Sequence, residues 1–133
     1  MSNDTSVSHA AKAARFAIML NAPPSDHLAT QSAVSFARSA LASGHEIITM
    51  YFYHDAVWHV CETSSNNSES RVWLELAQHG VALLLCQAAG ERRGLDMEAA
   101  IEPFRWAGLP GFHGLLEESV TLVSFGHCVG ARG

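Results

Sequence analysis

Charge is scarce in this chain. Asp, Glu, Lys and Arg make up 16% of its 133 residues while hydrophobic residues reach 48%, against a charged fraction of about 25% in an average soluble domain. A domain of this size has much surface relative to its core. So few charges point to surface buried against other subunits, or else to a neutral coat of Ser, Asn, Gln and His. The 8 basic residues are outnumbered by 13 acidic ones, for a formal net charge of −5, and no basic stripe offsets this, which argues against nucleic-acid binding. Cysteine is sparse as well. Cys61, Cys86 and Cys128 are odd in number and widely spaced, without a CxxC pair. Neither a disulfide framework nor a zinc ribbon is suggested, and a reducing cytoplasm fits best. No uninterrupted apolar run approaches the roughly 20 residues of a membrane span. The N-terminal MSNDTSVSHAAKAAR also lacks the apolar core of a signal peptide, so a soluble protein is expected. GxGxxG, GxxxxGK[ST] and GxSxG are all missing, leaving no motif for a phosphate cradle or a serine hydrolase.

What stands out against this background is HGVALLLCQAAGERRG, residues 79–94. The aliphatic run Val81 to Leu85 follows Gly80 and predicts a strand covered on both faces, the habit of a parallel sheet. Cys86 then falls at the strand's carboxyl end, where ligands and chemistry collect in open α/β sheets. A helix starting near Gln87 would aim free N–H groups at the sulfur. Such surroundings lower a thiol pKa from about 8.5 toward roughly 3.5–7.5 and make a nucleophile. The alternative is that Cys86 packs in the core as a small hydrophobe, as free cysteines often do.

The remaining elements follow in chain order. Residues 1–14 form a polar leader, 15–128 one domain and 129–133 a tail. Phe16 to Leu20 predicts a first strand ending in the turn-rich NAPPSD. Ala33, Phe36, Ala37, Ala40 and Leu41 mark the buried stripe of a helix, capped by Ser25 or Asp26 and ended by Gly44. EIITMYFY, residues 46–53, predicts the second strand, and HDAVWHVCETSSNNSES a long loop with a mobile tip at the sheet's functional end. Val72, Trp73, Leu76 and Ala77 repeat at helical spacing up to Gly80. After Cys86 the pattern predicts a short helix over Gln87–Arg93. A second helix follows through Met97, Ala100, Ile101 and Phe104, shortened or kinked by Pro103. WAGLPGFHGL reads as a connection, Leu115–Glu118 as one helical turn and Val120–Phe125 as the last strand. This order predicts a single-domain α/β fold, a mostly parallel sheet with helices on both faces.

Two further groupings have candidate chemistry. His54, His59 and Cys61 lie within eight residues, but without the spacing of a helical His pair or a CxxC. Their more natural reading is a loop whose Tyr53, His54 or Asp55 lines the crevice beside Cys86. Arg92 and Arg93 lie roughly 9–10 Å along a helix from the thiol. That is too far to partner a thiolate directly, and they suit a helix C-terminus or a subunit contact. Cys128 reads as a spectator.

Several of these segments together resemble the DsrE/TusD family of sulfur-relay subunits. RFAIML, then TQSAVSFARSALASGHEIITMYFYHDAVW with its Gly44-His45 turn and aromatic Tyr51-Phe52-Tyr53 end, resembles the family's opening strand, helix and second strand. HGVALLLCQAAGERRGL is similar to its central segment, and GLLEESVTLVSF to its ending. The resemblance covers about Arg15 to Phe125. It implies a DsrE-like fold and a cytoplasmic sulfurtransferase that takes a sulfane sulfur as a persulfide on Cys86, with no metal or organic cofactor. It implies partners too: DsrF/TusC-like and DsrH/TusB-like subunits in a heterohexamer, and a small DsrC/TusE-like acceptor. The pathway is dissimilatory sulfur oxidation or tRNA 2-thiouridine synthesis, and the first is favoured slightly. His54 stands where relatives carry Arg, which puts an inherited cationic neighbour in question. The alternative is a structural subunit that keeps the fold and carries no sulfur.

Overall fold

Every described strand of this protein runs parallel to its neighbours, and that fixes where the helices must go. The computed structural model describes residues 13–62, 68–99 and 102–126. In it, strands β1 (Arg15–Asn21), β2 (Glu46–Phe52), β3 (Ala82–Cys86), β4 (Phe104–Ala107) and β5 (Val120–Gly126) form one sheet of order β4-β3-β2-β1-β5. The chain steps from β1 to β4 in one direction across the sheet. Right-handed crossovers therefore stack the first three connections on one face, and the return from β4 to β5 passes over the other. The described helices are α1 (His27–Ala42), α2 (His59–Glu62), α3 (Ser68–Gln78), α4 (Gln87–Arg92) and α5 (Leu109–His113).

The first face holds most of the core. Phe16 and Phe125 meet Phe36 of α1 at ring-centroid distances of 5.1 and 5.9 Å. Phe52 meets Trp73 of α3 and Phe104 of β4, each at 5.3 Å. Ala33, Val34, Ala37 and Ala40 form the buried stripe of α1, and the small alanines let that helix lie close to the sheet. Asp26 caps α1 by accepting from the Ala29 N–H at 3.1 Å, which satisfies one of the free donors of the first turn. Gly44 closes the α1–β2 turn at φ +88°, a conformation side chains resist. The second face is covered by the short α5 and its flanking connection, and Leu122 of β5 remains 43% exposed there.

Four expectations are revised. The segment after β2 is not a long loop: His54–Trp58 forms a 3-10 turn and His59–Glu62 a helical turn, because Ala56, Val57, His59 and Val60 all bury against the sheet. The expected tip falls on residues 63–67, outside the described residues. Of the helix expected through Phe104, Met97–Ala99 is a 3-10 turn, Ala100 and Ile101 lie outside the described residues, and Phe104–Ala107 is instead strand β4. Pro103 cannot continue a helix, and beyond it Phe104 and Trp106 alternate with the exposed Arg105, the period of a strand. Within the presumed connection, Leu109–His113 is the helical turn α5, which buries Phe112. Leu115–Glu118, by contrast, forms turns rather than a helix. The leader and Cys128 lie outside the described residues, apart from Ala13 and Ala14; the Ala14 N–H donates to His45 Nδ1 at 3.0 Å.

One buried polar link ties the β1–α1 corner to α2 and α3. His59 is fully buried, with Nδ1 2.7 Å from Glu69 Oε2 and Nε2 3.1 Å from the Ala22 carbonyl. The ring thus bridges a carboxylate and a backbone carbonyl across the corner. The hydrogen bond from His59 is the chief reason that the Glu69 carboxyl titrates below its ordinary value, with burial opposing it. A carboxyl depressed in this way stabilises the fold above its unfolded value near 4.5. That stabilisation is lost as pH falls through the lower folded value. The thermal midpoint is therefore expected to drop as pH falls below the unfolded value, and Glu69→Gln to flatten that acid limb in scanning calorimetry. An acid limb unchanged in the variant would remove Glu69 from this role.

Candidate functional site

The site is built at the carboxyl edge of the sheet, where β3 ends. Leu83, Leu84 and Leu85 are buried and hold β3 between β2 and β4, and Cys86 is its last residue and the N-cap of α4. Its side chain makes no capping hydrogen bond to the helix. In a strand, residues two apart share a face. Cys86 pairs across to Ala107 of β4, and Tyr51 of β2 pairs with Leu84 one row behind, so Cys86 and Tyr51 stand on the same face. This is the thinly covered second face.

Tyr51 is fully buried, and its hydroxyl donates to the Ala107 carbonyl at 3.2 Å. To reach β4 from β2 the ring has to cross β3, which brings the hydroxyl onto the row of Cys86. There, with Cys86 paired to Ala107 on the same face, it stands beside the thiol. Burial, first, and then Cys86 push the ionisation of this phenol well above its ordinary value, so it stays protonated. The ring lies flat on Phe112 of α5, with centroids 4.3 Å apart and planes at 9°, and Tyr53 lies 6.2 Å away in a similar plane. Cys86 itself is only 3% exposed. The shallow, open crevice that exchange chemistry suggests is therefore closed in the isolated chain, because the β4–β5 connection seats Phe112 and its neighbours on this face.

The other candidate residues separate. Asp55 is drawn to Arg93, which reaches it at 2.9 Å and also donates to the Ala89 carbonyl at 3.0 Å. Arg93 thus serves the end of α4, as expected, and holds it to the 3-10 turn. His54 has φ +53°, and its Nε2 is buried without a hydrogen-bond partner. Burial first, then the charges of Arg93 and Arg92, lower its pKa. His59 is committed to Glu69 and Ala22, and Cys61 is exposed. Among the described residues no three His, Cys, Asp or Glu side chains gather as metal ligands. A groove of about 510 Å³ between α1 and α3, lined by His27, Arg38, Glu69 and Trp73 among others, lies on the opposite face from Cys86.

The sequence reading missed Tyr51 as a neighbour of the thiol. The signal was present in Tyr51-Phe52-Tyr53, whose alternation puts both tyrosines on one face at the end of a strand. Phe112 had no such signal, since it comes from a glycine-punctuated segment.

Fold and site together define a small α/β domain with a thiol at the carboxyl end of an inner parallel strand and no phosphate-binding loop among the described residues. The chain belongs to the DsrE/DsrF-like family, whose family model matches residues 14–125. A relative in Allochromatium vinosum (strain ATCC 17899 / DSM 180 / NBRC 103801 / NCIMB 10441 / D), named "Putative sulfurtransferase DsrE", is 38% identical over 86 residues. That match takes in 61% of this chain and 66% of the relative, so the chain spans just under two thirds of the relative's length. Among solved structures, the ychN protein from E. coli superposes with a TM-score of 0.69 at 14% identity, covering 84% of this chain and 99% of that one. MTH1491 from Methanobacterium thermoautotrophicum, a protein of unknown function, gives 0.68 at 16% identity, covering 84% and 98%. Both show the fold. No described helix is long and apolar enough to cross a membrane.

Exposure separates the two described thiols. In the native chain, iodoacetamide is expected to label the exposed Cys61 well ahead of the buried Cys86, with the difference vanishing in denaturant. Peptide mass spectrometry over a time course checks this. Equal native rates would show that the cover over Cys86 opens readily.

Proposed function

We propose that this protein carries sulfur: Cys86 accepts a sulfane sulfur as a persulfide and passes it to a cysteine of an acceptor protein. The observation that carries the reading is the place of Cys86, at the carboxyl end of β3 in a chain of the DsrE/DsrF-like family. The name of the Allochromatium relative supports it. The chemistry is thiol exchange. The Cys86 thiolate attacks the outer sulfur of a donor persulfide, the donor's sulfur–sulfur bond breaks, and the donor leaves as a thiolate. An acceptor thiolate then attacks the outer sulfur on Cys86 and releases the Cys86 thiolate. Each step makes one sulfur–sulfur bond and breaks one, so the relay needs no cofactor and no outside oxidant.

The reading has partners of its own. Exposed Leu122 on β5, and Leu109 and Leu115 on the connection across the same face, support assembly with homologous subunits. We take these to be DsrF/TusC-like and DsrH/TusB-like chains in a heterohexamer, with a DsrC/TusE-like acceptor. Free thiols persist in a reducing, cytoplasmic setting. Sulfur oxidation is preferred over tRNA thiolation as the pathway, on the relative's name. A second reading, a structural subunit that carries no sulfur, is favoured by the 3% exposure of Cys86.

Intact-mass and peptide mass spectrometry of the reduced protein after exposure to a sulfane-sulfur donor decides between them. One added sulfur on Cys86 is expected in the wild type and none at that position in Cys86→Ser, with the fold intact by circular dichroism. Absence of loading in the wild type with its partner subunits present would establish the structural reading.

A further inference from the structure

Tyr51 is a fully buried polar side chain that the relay as written does not use. It is also the one hydroxyl that the described structure brings onto the thiol. Its ring spans β3 from β2, its hydroxyl donates to the Ala107 carbonyl at 3.2 Å, and Ala107 is the residue paired with Cys86. Phe112 clamps the ring from below at 4.3 Å and 9°, which limits its sliding and leaves the O–H free to turn about its own bond. The hydroxyl therefore has two acceptors within its swing: a carbonyl oxygen and the sulfur.

We propose that Tyr51 is the positioning residue for charged sulfur on Cys86, turning its O–H from the Ala107 carbonyl to the sulfur when the thiol becomes a thiolate. In the thiol state the tyrosine donates to the Ala107 carbonyl. When the thiol loses its proton to solvent or to an incoming group, the sulfur becomes the stronger acceptor, because hydrogen bonds to charged groups exceed neutral ones. The tyrosine transfers no proton. Burial and the neighbouring sulfur keep its phenol protonated, so it acts as a fixed donor rather than as an acid. At a buried site with little water, such a donor offsets the desolvation of the anion. It also stabilises the thiolate that must form again as the leaving group of the transfer step. The Ala107 carbonyl, an edge-strand group beside the solvent-facing connection, can tolerate the exchange.

The inference deepens the carrier reading, since it rests on Cys86 working as a thiolate. The test compares full-length wild type with Tyr51→Phe, which keeps the ring on Phe112 and removes one oxygen. The pH dependence of Cys86 alkylation by iodoacetamide is followed by peptide mass, beside persulfide loading from the same sulfane donor. Loss of a hydrogen bond to an anion is expected to raise the alkylation midpoint by about one pH unit and to slow alkylation several-fold at a pH below both midpoints. A change in packing alone would alter the rate at every pH without moving the midpoint. Coincident midpoints in the two folded proteins would overturn the role of Tyr51, even if both load sulfur equally and the carrier reading stands. A raised midpoint in a protein that never loads sulfur, even with its partner subunits present, would keep Tyr51 as the thiolate's partner and overturn the carrier reading instead.

Discussion

The handedness of parallel crossovers governs this structure more than any single contact. Three successive right-handed connections place α1, α3 and α4 on one face of the sheet, and only the return from β4 to β5 crosses the other. One face thus becomes a conventional core of Phe36, Phe52, Trp73 and Phe104. Among the described residues the other is covered by the short α5 and its flanking connection, and Cys86 faces that way. The asymmetry accounts both for the face on which the thiol lies and for Leu122 left exposed on that same face.

The thiol lies in tension between two demands. The proposed sulfur exchange would require that another protein's cysteine reach Cys86, whereas a sulfane sulfur left open to solvent is lost to oxidants and stray thiols. In the isolated chain protection dominates: the residue is 3% exposed beneath aromatic cover. Access then becomes a matter of what displaces that cover. The cover belongs to the β4–β5 connection, on the same face as the apolar surface available for a partner.

Much of the site's address was legible in residues alone. The unbroken run Val81–Leu85, the single Cys86 after it and the helix formers beyond identified an inner parallel strand and its carboxyl end. The stripe of α1, with Asp26 before it and Gly44 after it, located the first crossover. The segments that defeated the pattern share a cause. His54–Glu62 looked polar enough for a loop, yet folds into turns because His59 finds Glu69 and Ala22, partners that lie far from it in sequence. Phe104–Ala107 is too short for a period to declare itself, and its strand character comes from the open edge of β3.

Local pattern, then, determined which segments are strands, which cysteine ends one of them and which helix face is apolar, because periodicity and capping act over a few residues. Family membership was legible at the same level, carried by several ordered segments at once. What only the tertiary structure decided is the company that Cys86 keeps. Tyr51 lies 35 positions earlier and Phe112 26 positions later. Tyr51 reaches the row of the sulfur because β2 and β4 flank β3, and Phe112 stacks on Tyr51 because the last crossover returns over the second face. The depth of the thiol, its hydroxyl neighbour and the diversion of Asp55 to Arg93 are products of packing between distant segments, and no local window contains them.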